Sequence, residues 1–429
     1  MNVLFLSETP LHPSSIGKVT AYLSSGLAER GHRVAVAPYS LPGSLVITGS
    51  SRRIIYNMRE WAEKGGEEAF ADLYPDADIL VVPWGKSFPF FNVFDYLPWR
   101  PDAVFVYSYP YIELDLNDVI TKVREKKGIP GILYALHEGP LLFSNQALSI
   151  SAYSCVAFPT KAIKDVYIEG FKQELKKMGK VFNEWGKFTL LHHPINHLLF
   201  NPKIKERIPE PKNDYGCRIV GMLAKNHIRK DYFTLLKVVA ELKKEGKDVC
   251  AGLYWINTTT DQYWNEDGLR LIIGKMLKVD PESIPIITMI DQLRNGGLTD
   301  LQIAAFYLLN MDLHAFLTRG ESFGLPPLES AMLGVRTIST GIPPQKEIFK
   351  GSGVPLVKHK LFPMDKVLLY SPDEKDAKRK IEKCLESKSE CEPKRDVLES
   401  RFSYRKIAED LEKILEKALA DPKSIAESF

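Results

Sequence analysis

Gly320-Glu321-Ser322-Phe323-Gly324-Leu325-Pro326-Pro327-Leu328-Glu329-Ser330-Ala331-Met332-Leu333-Gly334 lies between a predicted strand, residues 312–316, and a predicted helix. The adjacent prolines suit a first helical turn, where backbone N–H groups lack an intrahelical partner in any case. The amides of Phe323, Gly324 and Leu325 then stand at the positive end of the helix, a seat for phosphate. Gly324, having no Cβ, lets an anion come close to the backbone. Glu321 precedes the turn and Glu329 falls in the first helical turns, so both carboxylates can face one cleft. A carboxylate accepts two hydroxyl hydrogen bonds at once, which suits the diols of ribose or a hexose. An anion seat with two diol readers describes a sugar nucleotide. Taken alone, two glutamates at this spacing more often mean only a favourable charge at a helix start.

As a whole the segment resembles the E-x7-E signature of retaining glycosyltransferases of the GT-B fold, closest to glycosyltransferase family 4. The usual form there reads E-G/S-F-G-L-P-x-x-E-A-M-A-x-G, and Ser330 stands where alanine is frequent. The resemblance implies an α/β chain of GT-B architecture. Two Rossmann-like domains would face each other across a cleft, and a C-terminal helix would cross back to the first domain.

Composition is compatible with that expectation. At 429 residues the chain is too long for one ordinary core and suggests two domains. Its 45% hydrophobic and 26% charged residues are those of a globular protein, and a net charge of +3 argues against a dedicated nucleic-acid binder. The five cysteines are odd in number and scattered, show no paired zinc spacing, and read as reduced thiols of a cytosolic protein. Cys384 and Cys391 are near enough to pair, but a charged helix around them favours two separate thiols. No basic region precedes an apolar run near residue 1, so no secretory signal is expected. No stretch approaches the roughly 18 apolar residues that cross a bilayer.

In the first half, apolar runs at residues 2–6, 33–37, 79–82, 103–107, 131–136, 154–158 and 188–192 read as strands. Their unbroken apolarity suits a parallel sheet covered on both faces. Val19, Tyr22, Leu23 and Leu27 follow helical spacing up to Gly31, completing a βαβ unit. Within Ser14-Ser15-Ile16-Gly17-Lys18 the Gly-Lys pair is no Walker A loop, because His12 stands where glycine is needed and Val19 follows. The dinucleotide fingerprint is missing too, which disfavours a dehydrogenase. The residues alone read equally as an N-cap turn; the resemblance makes Gly17 the second glycine of a short loop near the donor diphosphate. Leu136-His137-Glu138-Gly139 sits at a strand end, where parallel sheets gather ligands. A lone histidine there is more often structural, whereas the resemblance places His137 against the donor sugar. Thr160 of Pro159-Thr160-Lys161 is a helix cap. Residues 161–187 carry many lysines with Tyr167, Phe171 and Phe182, and read as a solvated amphipathic helix or as a surface for an anionic membrane.

His193-Pro194-Ile195-Asn196-His197-Leu198-Leu199-Phe200-Asn201-Pro202 matches the family's interdomain run, and residues 203–214 read as linker. A second α/β unit starts with strand 218–222 and a helix carrying Leu235, Leu236, Val239 and Leu242. Between them, Ala224-Lys225-Asn226-His227-Ile228-Arg229-Lys230-Asp231 crowds cations that repel one another unless an anion joins them. A solvent-exposed loop is the alternative. The resemblance assigns Lys225, Arg229 and Lys230 to the diphosphate, with Lys225 replacing an arginine and losing its bidentate fork. Strands at 249–255, 284–289 and 336–339 follow, with a capping box at Thr299 and Gln302. Glu347 matches a frequent family glutamate of structural role. Ile407, Leu411, Ile414, Leu415 and Ala418 line one face of the last helix.

The expected domains are 1–205 on the acceptor side, 206–395 for the donor, and 396–429 as the returning helix. The expected activity is retaining, metal-independent transfer of a glycosyl (hexosyl) group from a nucleoside diphosphate sugar, UDP or GDP first, to a hydroxyl of a carbohydrate, lipid or protein. His137, Glu321 and Lys230 would act on the sugar and leaving group. Gly17, Lys225, Arg229, Lys230, Phe323, Gly324, Leu325 and Glu329 would hold the nucleotide diphosphate. No metal or separate cofactor is expected, since cations and helix amides would take a metal's place. A nucleotide-sugar epimerase and a silent scaffold are the rival readings. The expected location is the cytoplasm, with peripheral contact at the inner membrane face as the alternative.

Overall fold

Runs such as Val3-Leu4-Phe5-Leu6 are buried on both faces, as strands of a helix-covered parallel sheet must be. The computed structural model describes residues 1–8, 10, 14–38, 54–57, 78–81, 94, 97, 99–111, 114–208, 214–256, 265–288, 300–364 and 367–428. Expectations at His12, Val82, Met289 and Thr299 lie outside them. Contacts divide the chain into Met1–Asn196 with Arg401–Phe429, and His197–Ser400.

The first unit contains β1 (Asn2–Ser7), α1 (Ser15–Glu29), β2 (Arg33–Pro38), β3 (Ile54–Asn57), β4 (Asp78–Val81), β5 (Ala103–Ser108), α2 (Leu114–Lys127), β6 (Gly131–Ala135), α3 (Ser144–Ala147), β7 (Cys155–Phe158), α4 (Lys161–Lys177) and β8 (Phe188–Leu190). Its sheet runs β3-β4-β2-β1-β5-β6-β7-β8, and only β3 is antiparallel to its neighbour. Ser14 caps α1 through the Gly17 amide at 2.9 Å, and Thr160 caps α4 through the Ile163 amide at 3.4 Å. Ile163, Tyr167, Phe171 and Leu175 of α4 are buried in the unit's own core together with Phe182 beyond its end, so α4 spends its apolar face internally. Among the described residues no helix is long and apolar enough to cross a membrane.

The second unit contains β9 (Arg218–Lys225), α5 (Tyr232–Lys244), β10 (Val249–Ile256), α6 (Glu266–Leu277), β11 (Ile286–Thr288), α7 (Asp300–Asn310), β12 (Leu313–Phe316), α8 (Leu325–Met332), β13 (Thr337–Thr340), α9 (Pro343–Ile348), β14 (Leu356–Val357), β15 (His359–Met364), β16 (Val367–Pro372) and α10 (Glu374–Glu386). Its parallel sheet runs β11-β10-β9-β12-β13-β14, with β15 and β16 as a separate hairpin. The order reverses between β9 and β12, where Leu313 pairs with Val220. Pro202–Arg207, overlapping the start of the expected linker at 203–214, winds into a 3₁₀ helix capped by Asn201.

After α11 (Arg395–Phe402), α12 (Tyr404–Ala420) packs on α1 of the first unit. A Cβ on Gly26 would lie 2.6 Å from the Ala408 Cβ, so glycine sets the closeness of these two helices. Glu29 accepts from Tyr404 Oη at 2.6 Å, and Glu412 pairs with His32 at 2.7 Å and with Arg30. Beyond α12 the Ile425 amide donates to the Tyr153 carbonyl at 2.8 Å, fastening the tail beside β7.

The thiol reading is overturned. Cys217 bonds Cys250 and Cys384 bonds Cys391, with Cα separations of 5.9 and 5.3 Å; only Cys155 is free, and it is buried. Parallel pairing of β9 with β10 sets Arg218 against Val249, which brings the first pair together across 33 residues. The end of α10 at Glu386 turns the chain back for the second. The cytoplasmic expectation loses the support that reduced thiols lent it.

Candidate functional site

Because the strand order reverses between β9 and β12, loops 226–231 and 317–324 leave the carboxyl edge of the second sheet side by side, where open α/β sheets bind ligands. Backbone bonds stitch them together. The Asp231 amide donates to Leu317 O at 2.9 Å, the Arg319 amide to Arg229 O at 2.7 Å, and Lys230 forms an isolated antiparallel bridge with Thr318.

This stitching brings Lys230 and Glu321, 91 residues apart, into an ion pair. Both are only 8% exposed, and Lys230 Nζ also lies 4.8 Å from the centroid of the Phe316 ring. The buried Thr318 hydroxyl donates to Glu321 Oε1 at 2.9 Å. Arg229 donates from Nη1 to Gly320 O at 3.0 Å, which makes it a brace between the loops. Lys225 ends β9 with its side chain exposed, and Asn226 beside it is buried. Sequence reasoning singled out Lys230 and Glu321 but not their pairing. It missed Thr318 entirely, although a hydroxyl residue three places before an acid was a visible signal.

Gly324 precedes α8 with φ +106° and ψ 77°, a backbone that side chains with a Cβ rarely adopt. Gln345 of α9 donates to Phe323 O and accepts from Ser339 Oγ at 3.0 Å, and a Cβ on Gly324 would stand 2.5 Å from Gln345 Nε2. Glycine is therefore required here by conformation and by Gln345, apart from any anion. Leu325 opens α8, and Glu329 follows it as a buried carboxylate. Burial, then the Glu329 charge, push the Tyr307 hydroxyl well above its ordinary pKa. Ser330 also acquires a reason: its Oγ meets His314 Nδ1 at 2.7 Å and Thr337 Oγ1 at 2.9 Å.

In the first unit, Gly17 lies in the first turn of α1, and its amide is spent on Ser14 Oγ. His137 follows β6 and is buried. Its Nδ1 meets Tyr111 Oη at 3.0 Å and its Nε2 meets Leu141 O at 2.8 Å. A carbonyl only accepts, so Nε2 carries the proton and Nδ1 accepts from Tyr111. Burial lowers the imidazole to about 4, against the opposing pull of the Leu141 carbonyl. The ring is thus neutral, oriented, and engaged at both nitrogens.

No protein-family model matches the sequence, and no curated protein matches it. Solved structures do. The chain is similar to sucrose-phosphate synthase from Thermosynechococcus elongatus, at 13% identity and TM-score 0.64, covering 98% of this chain and 99% of that one. It is also similar to α,α-trehalose 6-phosphate synthase from Burkholderia multivorans, at 12% identity and TM-score 0.66, covering 98% and 97%. The catalytic domain of starch synthase IV from Arabidopsis thaliana, bound to ADP and acarbose, gives 10% identity and TM-score 0.59, covering 98% and 99%. What is shared at such identities is the fold, the two parallel-sheet α/β domains of GT-B glycosyltransferases.

Proposed function

We propose that this chain is a glycosyltransferase that moves a sugar from a nucleoside diphosphate sugar to an acceptor hydroxyl, retaining the anomeric configuration and needing no metal ion. The observation that carries the reading is the buried Lys230–Glu321 pair at the reversal point of the second sheet. A buried ion pair adds little stability over an apolar substitute, so its place at a ligand-binding edge favours a functional reason.

The difficult step is departure of the nucleoside diphosphate as positive charge grows on the sugar ring. Lys230, with three N–H donors on a flexible stem, can turn from Glu321 toward the phosphate as negative charge develops there. Lys225, at the end of β9, and the amides at the start of α8 would add to the anion seat. Glu329 would take the ribose hydroxyls and Glu321 those of the sugar. Arg229 serves this reading by holding the Gly320 carbonyl and so the turn before Glu321. The departing phosphate would take the acceptor proton.

The similar structures include synthases of sucrose phosphate and of trehalose 6-phosphate, so sugar phosphates are the first acceptors to offer. The test is a thermal-shift and hydrolysis screen of UDP, GDP and ADP sugars with and without EDTA, followed by NMR of the product anomer. We expect one donor to stabilise and be consumed in EDTA, and the product to keep its configuration once an acceptor is supplied. No shift with any donor would reject the activity, and loss of turnover in EDTA would reject metal independence.

A further inference from the structure

The two carboxylate oxygens of Glu321 are held differently. Oε1 meets both the Lys230 ammonium and the Thr318 hydroxyl, the latter at 2.9 Å. Oε2 takes no hydrogen bond among the described residues. Thr318 is fully buried and itself anchored, since its amide donates to Thr340 Oγ1 at 3.0 Å and its backbone bridges Lys230. Its Oγ1 accepts from the Gly320 amide at 3.3 Å, which leaves one hydroxyl hydrogen to give. Three oxygens are in reach: Glu321 Oε1 at 2.9 Å, and the carbonyls of Gly320 and Arg229, each at 3.2 Å. The carboxylate is the nearest and the only charged one, so it takes the hydrogen.

We propose that Thr318 is a positioning residue for Glu321, fixing Oε1 so that Oε2 is presented to the hydroxyls of the donor sugar. The inference rests on the proposed role of Glu321 as reader of that sugar. Lys230 alone would be an insecure anchor, because a diphosphate competes for the same ammonium. When the phosphate draws Lys230 away, the Thr318 hydroxyl remains and keeps the carboxylate in place. A glutamate fixed in advance also loses less rotamer freedom when the donor binds.

The test compares the full-length wild type with Thr318→Val, which keeps the shape without the hydroxyl, and Thr318→Ser, which keeps the hydroxyl. Each is titrated calorimetrically with the donor found in the screen and with its bare nucleoside diphosphate, and crystal structures of wild type and Thr318→Val are compared. Thr318→Val should weaken donor binding about tenfold. Binding of the bare diphosphate should stay within about twofold, and Thr318→Ser should restore the donor. If valine packs badly, Thr318→Ala removes the same hydroxyl and carries the same expectation. Undiminished donor binding, equal loss for donor and bare diphosphate, or an unmoved Glu321 in the variant structure would each overturn the proposal while leaving the glycosyltransferase reading intact. A wild-type protein that binds no sugar nucleotide would remove both.

Discussion

Arg319 and Asp231 form an ion pair, Nη2 to Oδ1 at 2.9 Å, joining the two loops that carry Glu321 and Lys230. Each is the chain neighbour of a bridging residue, Arg319 following Thr318 and Asp231 following Lys230. Asp231 is fully buried and also caps α5, accepting from the Thr234 amide at 3.2 Å and from its hydroxyl at 2.7 Å. Asp231→Ala would strand a guanidinium that is only 13% exposed and remove the cap. The expected loss is about 3–5 kcal/mol. Asp231→Asn keeps a capping acceptor and should lose less. Urea denaturation checks the order, and two variants as stable as wild type would show that the pair contributes nothing.

Glu321→Ala should lower donor turnover by about 30- to 1000-fold, on the order of 2–4 kcal/mol of transition-state stabilisation. Initial rates corrected for the folded fraction measure this, since the substitution also leaves Lys230 buried without its carboxylate. Turnover equal to wild type would remove Glu321 from the chemistry.

Stability should fall in mild acid. Burial lowers His137 to about 4 and His193 and His314 to about 3, all from an ordinary 6.5. Below pH 6.5 the unfolded chain binds protons that the folded chain refuses. The stability due to the neutral rings is therefore complete above about pH 6.5 and is lost progressively toward pH 4 and then 3. A melting series from pH 7.5 to 5 samples this effect above the range where most carboxylates titrate. A melting temperature that stayed level from pH 7 to 5 would contradict it.

Both disulfides lie in the second unit, and reduction should destabilise that unit by about 2–4 kcal/mol per bridge. Cys155 is buried, and burial pushes its thiol up to about 11. Native protein should therefore show no fast-reacting thiol, and denatured, unreduced protein one. Five thiols after denaturation without reductant would refute the pairing.

Much of this protein was legible in sequence because the responsible physics is local. Unbroken apolar runs marked parallel strands, Thr160 stood as a cap, and the prolines of Leu325-Pro326-Pro327 announced the start of α8, whereas the Ser14–Lys18 run read equally as a cap or a donor loop until Ser14 was seen to cap α1. Gly324 was found for its openness to an anion, while its positive φ and its contact with Gln345 emerged only in three dimensions. The cysteines were misread for the same reason. Nothing local says that Cys217 and Cys250 begin neighbouring strands.

By itself, then, the order of residues determined which segments become strand, turn or helix and where cations and carboxylates accumulate, since backbone sterics and hydrophobic periodicity act over a few neighbours. Tertiary structure alone decided the partnerships: Lys230 with Glu321, Thr318 with the same carboxylate oxygen, Asp231 with Arg319. All three depend on β9 and β12 lying side by side where the sheet changes direction, and that adjacency comes from how the whole sheet packs.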